Sequence, residues 1–421
     1  MPTADRAAGR TPPSTLWVAC ALSLAAAVSL GLARFSYALL LPPMRADLGW
    51  SYLAAGAMNT VNAAGYLIGA LLAPWGMRRF GARTVLLAGG AAAALLLMAH
   101  GLVTADAPLY ALRLLTGVAS AAAFIAGGLL AARLVGPHGP VVGGAAPHGP
   151  VVGRAAPAAG LVLGIYYGGV GAGIVASALL VPPLSGLAQP HAWQWAWVAL
   201  GACAAAATAI TARATRHLKD AHGSPPAPAT AGHRWRQFGF GLASYFLFGL
   251  GYIGYMTFVV TLLREQHLAS GTITVFYALL GVAVMASSWL WAGLLQRHRG
   301  GGAMGRLVVL LAVATVLPVM SSNPVAVFAS GLLFGGAFLS VVASTTALVR
   351  HNLPRAAWPA GISAFTIVFA AGQIVGPSLV GWVADGPGGL RTGLAVSAGV
   401  LGISALLAWG QKPLASLAAP A

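Results

Sequence analysis

Charge is what this chain has least of. Of its 421 residues only 7% are Asp, Glu, Lys or Arg, against about 25% in a soluble domain, and just 6 are acidic. With 58% hydrophobic residues and a mean hydropathy of +0.83, that scarcity excludes a soluble globular protein. It reads as an all-α polytopic membrane protein, because a lipid-exposed chain must satisfy its backbone within helices or closed barrels. The two cysteines, Cys20 and Cys203, both fall inside apolar runs. They exclude a disulfide framework and read as small core residues. No acid lies deep in any apolar run, and the 10 His fall in loops or near run ends. A proton relay through buried carboxylates or His is therefore disfavoured, as is an intramembrane enzyme, which would need a carboxylate pair, a metal cluster or a nucleophile with a base. There is no phosphate-binding loop and no sizeable soluble segment for ATP. No cofactor and no metal are expected, and the motor is an ion or substrate gradient or downhill flow.

What the chain does have is apolar runs of spanning length, about 20 residues each. They fall at 16–41, 51–75, 84–104, 108–133, 158–181, 193–212, 238–263, 272–295, 306–322, 324–349, 358–384 and 390–410, which makes twelve. The first follows Arg6 and Arg10 as a signal peptide would. It outlasts the roughly 7 to 15 apolar residues of such a signal, so it reads as the first span.

Charge placement tests the count. With both termini cytoplasmic, inner segments collect Arg6, Arg10, Arg78, Arg79, Arg83, Arg133, Arg154, Arg213, Arg216, Lys219, Arg234, Arg236, Arg297, Arg299, Arg306, Arg350, Arg355 and Lys412. Outer segments hold only Arg45, Arg264 and Arg391, together with Asp47, Asp106, Glu265 and Asp385. That asymmetry is the positive-inside pattern. The net charge of +17 is thus spread over many inner segments. It points to the anionic inner leaflet as partner and away from nucleic acid, whose binders gather cations on one face.

The polar stretch 213–237 reads as a cytoplasmic linker between an N-terminal six-helix bundle, 1–212, and a C-terminal one, 238–421. The halves echo one another: "GLARFSY" aligns Gly31, Leu32 and Tyr37 with Gly249, Leu250 and Tyr255 of "GLGYIGY". Repeated halves are the building plan of alternating-access transporters. A separate repeat, "PHGPVVGGAA" at 137–146 followed by "PHGPVVGRAA" at 147–156, places two His ten residues apart with no third ligand nearby. It reads as a tandem duplication in a tolerant loop.

These features together resemble the major facilitator superfamily. The closest local match is "PWGMRRFGAR" at 74–83, where Arg79, Gly81 and Arg83 fit the superfamily's basic gating loop while Arg78 stands in place of its Asp. "RLLTG" at 113–117 resembles its fourth-helix Arg motif, and "GLARFSYALLLPPMRADLGWS", "YFLFGLGY" and "GQIVGP" look like its YbfB/YjiJ-like branch of bacterial transporters. The resemblance implies the major facilitator fold and a bacterial inner-membrane location with cytoplasmic termini; a monomer is the expected state, though the sequence does not fix it. It also implies that spans three, six, nine and twelve face lipid while the rest surround a cavity. The composition agrees, since those four spans carry few large polar side chains.

Two cations remain inside the membrane, Arg34 and Arg113. A guanidinium stays charged, and at mid-bilayer it costs roughly 2.5 to 3.5 kcal/mol. Counted along the predicted spans, both lie about 7 to 10 Å from the outer ends of their helices. With no acid at that depth, a bound anion is the candidate counter-ion. Tyr37 follows one turn after Arg34, and Asn59, Asn62 and Tyr66 form a polar stripe at i, i+3 and i+7. The stripe serves either a wet cavity or helix-to-helix bonding. Tyr252 and Tyr255 read as cavity residues or interfacial anchors, and Gln373, Tyr166 and Tyr167 are weaker candidates. The glycines 164, 168, 169, 171 and 173 make a ridge for close helix packing. The leading expectation is a secondary carrier for a small organic anion held near Arg34 and Arg113. The alternatives are a carrier exporting neutral or lipophilic compounds, such as drugs or sugars, and a non-transporting receptor or scaffold.

Overall fold

A computed structural model describes residues 14–134, 159–218, 235–354 and 357–414. The duplicated loop at 137–156, most of the linker, and Arg6, Arg10, Arg154, Lys219, Arg234 and Arg355 lie outside the described residues. Twelve long helices form: α1 (Thr15–Leu48), α2 (Tyr52–Phe80), α3 (Ala82–His100), α4 (Asp106–Arg133), α5 (Ala159–Ser185), α6 (Trp193–Ala214), α7 (Gly239–Glu265), α8 (Ser270–Leu290), α9 (Gly302–Met320), α10 (Pro324–Asn352), α11 (Trp358–Ala384) and α12 (Gly389–Gly410). Eleven are long and apolar enough to cross a membrane on sequence alone; the exception is α2. Asn59, Thr60, Asn62 and Tyr66 lower its hydropathy, and it packs between α4 and α11 in the interior.

Helix boundaries follow local chemistry. Ser51 Oγ accepts from the Ala54 amide to start α2, and Asn323 Oδ1 accepts from the Val325 amide, with Pro324 at the first turn, to start α10. Gly49, at φ +66°, ends α1, and Gly81, at φ +85°, separates α2 from α3. A side chain at either position would be strained. The first helix is longer than the sequence suggests. It runs through Pro42 and Pro43 to Leu48, so Arg34 sits near its middle, about 20 Å from that end, and not in the outer third. Arg113, seven residues into α4, keeps its expected depth of about 10 Å.

The pairing of helices repeats six positions along the chain. α1 packs on α5 as α7 does on α11, α2 on α4 as α8 on α10, α3 on α4 as α9 on α10, and α3 on α6 as α9 on α12. The two sets meet through α2 against α11 and α5 against α8, which the same shift of six exchanges. The main partners of α3, α6, α9 and α12 lie within their own six. Enclosure follows: 89% of the most apolar stretch of α7 is buried, against 33% for α6. The glycine ridge of α5 is a packing device with two faces. A Cβ on Gly169 or Gly173 would collide with the Ser23 or Ala27 carbonyl oxygen of α1, and one on Gly171 with the Gly281 carbonyl of α8.

Candidate functional site

The bundle has two chemically distinct ends. One carries Asp47, Asp106, Glu265 and Asp385, the other Arg78, Arg79, Arg83, Arg213, Arg297 and Arg350. The acidic end is closed. Asp385, at the end of α11, accepts from the Tyr52 and Leu53 amides at the start of α2, at 2.7 and 2.9 Å. Tyr52 Oη donates to Glu265 at the end of α7, and the Arg45 guanidinium lies 3.7 Å from the Tyr52 ring centre. Deeper in, Thr60 donates to the Ile374 carbonyl at 2.7 Å, and Asn59 donates to Thr257 Oγ1 at 2.7 Å. Asp47 and Asp106 act within the first half, bonded to Trp193 and to Trp50. Toward the basic end the two halves are joined by α5 against α8, where Trp289 lies beside Gly164. Tyr66, Phe124 and Phe369 are partly exposed there, and Tyr167 is 39% exposed.

Arg34 lies where the closed part ends, on an unusual piece of helix. From Ala27 to Phe35, α1 is π-helical, shown by the bond from the Ser36 amide to the Gly31 carbonyl five residues back. Such segments are rare and favour functional sites. The change of pitch leaves carbonyls for side chains to claim. Ser36 Oγ bonds Leu32 O at 2.5 Å, Arg113 Nη1 bonds Ala33 O at 2.9 Å, and Tyr277 Oη of α8 bonds Phe35 O at 2.7 Å. The carbonyls on either side of Arg34 are thus held from both halves of the bundle, which fixes where its side chain starts.

The two buried arginines differ in their partners. Arg113 is wholly enclosed. Besides Ala33 O, it donates to Asn59 Oδ1 at 3.2 Å and Met58 O at 3.5 Å. Its guanidinium carbon lies 4.8 Å from the Tyr37 ring centre and 5.8 Å from that of Trp197. Every nitrogen of its fork therefore faces an oxygen. Arg34 is 3% exposed, with Nη2 donating to Gln373 Oε1 of α11 and its guanidinium carbon 5.5 Å from the Tyr66 ring centre. Its Nε is buried with no acceptor at all. A buried cationic donor without a partner is costly, and a neutral amide oxygen does not balance its charge.

The other sequence candidates sort around these two. Tyr37 is buried and donates to Ala55 O at 2.8 Å, and Asn62 donates to Arg113 O at 3.0 Å. Asn59 has its amide nitrogen and its oxygen both engaged, so it links Arg113 to α7 across the halves. Tyr255 is stacked on Phe334 at 4.0 Å and bonded to Ser330 at 2.6 Å, within the second half. Tyr66 and Gln373 lie against Arg34, while Tyr252 is buried among aromatic rings of the second half. The expected basic loop is reduced to Gly81: Arg78 and Arg79 are exposed in the last turn of α2, and Arg83 already belongs to α3, because the helix continues past residue 75 to Phe80. Arg83 donates to Thr215 O and Ala212 O at 3.0 and 3.1 Å, capping the free carbonyls at the end of α6.

Sequence reasoning missed several residues here. Phe248, Phe338 and Phe369 stand beside Tyr252 at centroid distances of 4.9, 5.4 and 5.5 Å and ring planes within 23° of its own. They come from α7, α10 and α11, and a phenylalanine in an apolar run carries no signal of its own. Thr257 and Tyr277 were likewise unremarkable. His100 is the last residue of α3, yet it is fully buried, stacked on Trp197 at 4.4 Å with Nδ1 donating to Leu96 O at 2.7 Å. Position near a helix end does not by itself mean exposure.

Comparisons with known proteins bear on this geometry. Residues 26–409 match the family described as "Uncharacterised MFS-type transporter YbfB". No curated protein matches the sequence. Among solved structures, the chain is similar to a bacterial homologue of the human lysosomal transporter Spinster, in an inward-facing and unoccupied conformation. The identity is 15%, with 96% of this chain and 98% of that one covered and a TM-score of 0.70. It is also similar to the nucleoside transporter NupG, at 15% identity, 94% and 97% coverage and a TM-score of 0.66. These likenesses show the fold.

Proposed function

The chain belongs to the YbfB-type family of the major facilitator superfamily and is a transporter, not an enzyme; from that premise we propose that its cargo is a small organic anion held by Arg34. The supporting observation is the unbalanced guanidinium: Arg34 is buried midway along α1 with an amide oxygen as its bonded partner and Nε unpaired. An incoming carboxylate would take both donors in a fork-to-fork contact. Gln373 Oε1 then reads as a place-holder for a carboxylate oxygen, released when cargo arrives. Arg113 does not share the load, because its donors already hold Ala33, Met58 and Asn59. It is a positioning residue that fixes the peptide next to Arg34 and raises the local positive potential.

The basic end belongs in the cytoplasm by the positive-inside rule, in a bacterial inner membrane, so the closed acidic end makes this the inward-facing state. Cargo on Arg34 of α1 takes the place of Gln373 and so lies between α1 and α11 of the other half. Its binding energy is available to draw α11 toward α1 and to exchange the acidic-end contacts for basic-end ones. An organic acid that carries its own proton, or exchanges for another anion, needs no carboxylate relay within the spans. Replacing Arg34 by Gln should abolish uptake of organic anions into proteoliposomes while the protein remains folded. Unchanged anion flux would overturn the proposal. The aromatic lining supports a second candidate, a neutral lipophilic cargo. Drug sensitivity of cells with and without the protein separates it from the first.

A further inference from the structure

Building on the anion proposal, the surroundings of Arg34 narrow the cargo further. The first constraint is charge. With every Arg113 nitrogen bonded to a protein oxygen, Arg34 is the one cation buried at this depth with an unpaired nitrogen among the described residues, which suits one carboxylate and leaves a second one buried without a partner. Among the described residues no Asp or Glu is hydrogen-bonded to Arg34, Gln373, Tyr66 or Tyr252, and the described carboxylates lie at the acidic end. An ammonium group on the cargo would therefore have no counter-ion, which excludes α-amino acids.

The second constraint is hydrogen bonding. A polyhydroxylated cargo needs several fixed polar groups. Both ends of the Asn59 amide are occupied, and the Asn62 amide nitrogen is committed to the Arg113 carbonyl. Gln373 is the one amide bonded to Arg34 itself. The site is poor in what a sugar acid requires.

The third constraint is shape. The Arg34 guanidinium carbon lies 5.5 Å from the ring centre of Tyr66 of α2, and Gln373, its bonded partner, follows Phe369 by one turn on α11. Behind Tyr252 the rings of Phe248 and Phe369 are nearly coplanar in orientation, 12° apart, and Phe338 is tilted only 15° from Tyr252. Aromatic pairs in proteins adopt both edge-on and offset-parallel arrangements. Here four rings from three helices share one orientation; Tyr252, Phe248 and Phe338 are buried, while Phe369 of the set and Tyr66 beside Arg34 are partly exposed. A flat ring slides parallel to such a set, with its carboxylate on the guanidinium.

We propose that the cargo is an aromatic monocarboxylate without an ammonium group, its carboxylate on Arg34 and its ring against Tyr66, Tyr252 and Phe369.

The test is thermal stabilisation of the purified full-length protein by millimolar benzoate, phenylacetate, hexanoate, phthalate, phenylalanine, benzamide and benzyl alcohol. Benzoate or phenylacetate should raise Tm, with hexanoate, phthalate and phenylalanine weaker by roughly tenfold or more in apparent affinity. Phe369→Leu and Tyr252→Leu, which keep apolar bulk, should bring phenylacetate and hexanoate to within a few fold of each other. Arg34→Gln should erase both. If hexanoate equals phenylacetate in the unaltered protein, the aromatic inference is wrong and the anion proposal stands. If phthalate or phenylalanine binds best, the charge argument is wrong. If benzamide or benzyl alcohol stabilises while the acids do not, the anion proposal falls too. If none of these probes binds, the aromatic inference is overturned.

Discussion

Arg34 and Arg113 are the same residue type at membrane depth in neighbouring helices, and their surroundings make them opposites. Arg113 has a cage: two backbone carbonyls, one amide oxygen and two aromatic faces. Arg34 has one amide oxygen, one ring and an unpaired Nε. A buried cation that the protein satisfies is a strut, whereas one left unsatisfied is a place for something else. Depth adds to the difference. Arg113 lies within the closed region, and Arg34 lies at its floor, where the two halves of the bundle part.

The contrast predicts opposite phenotypes for matched substitutions. On the anion proposal, Arg34→Gln removes the cation that grips the carboxylate, so anion affinity should fall by about 100-fold or more, the loss of two charge-assisted hydrogen bonds. The melting temperature should stay close to that of the unaltered protein, because few native contacts depend on the group. Arg113→Gln should do the reverse. It orphans the Ala33 and Met58 carbonyls and should cost about 2 to 4 kcal/mol of stability, read as a lower Tm in detergent. Its anion affinity should shift by less than that of Arg34→Gln. If both variants lose binding and keep stability, the cage around Arg113 is not structural and the comparison fails.

Gln373→Glu sharpens the comparison by giving Arg34 what Arg113 has in effect, a permanent partner. The carboxylate would replace the amide oxygen already bonded to Nη2. Anion affinity should drop by about 10- to 100-fold through competition for the same donors, with stability equal to or above that of the unaltered protein. Gln373→Ala leaves Arg34 with still less, and its anion affinity should be retained or modestly raised. Isothermal titration with phenylacetate reads both. Equal loss in the two variants would mean that Gln373 binds cargo through its own amide and is no place-holder.

Much of this was legible in the sequence because membrane insertion imposes simple rules. Twelve helices, the segregation of cations and acids, and the family all follow from run length, charge asymmetry and short motifs. Arg34 stood out because a charge in an apolar run has no neutral interpretation. The division of labour between the arginines was not legible, since both read as unpaired until the carbonyls of Ala33 and Met58 were placed beside Arg113. The register of α1 was misjudged because Pro42 and Pro43 read as a helix end. Each can stay helical, because neighbouring helices compensate for broken backbone bonds in a membrane bundle. The aromatic set around Tyr252 was invisible because its members lie on three helices, and nothing local marks a phenylalanine as part of a shared surface.

The smallest expected effect tests the floor on which Arg34 sits. Asp385 caps the start of α2 from the opposite half, and Asp385→Asn keeps its shape while removing the charge that favours a helix N-terminus, a loss of about 0.5 to 1 kcal/mol. The two states of a carrier need be separated by no more than a few kcal/mol. A change of this size should multiply the population open at the acidic end by roughly two to five. Spin labels at Leu187 and Arg391, both exposed and on opposite halves at that end, in a background lacking Cys20 and Cys203, would show a longer-distance component growing in Asp385→Asn. The same substitution should leave the Tm shift of Arg113→Gln unchanged, because the cage around Arg113 contains no residue from α11. If the distance distribution is unaltered, Asp385 is a helix cap and nothing more, and what holds the closed end is the deeper pair of contacts from Asn59 to Thr257 and from Thr60 to Ile374.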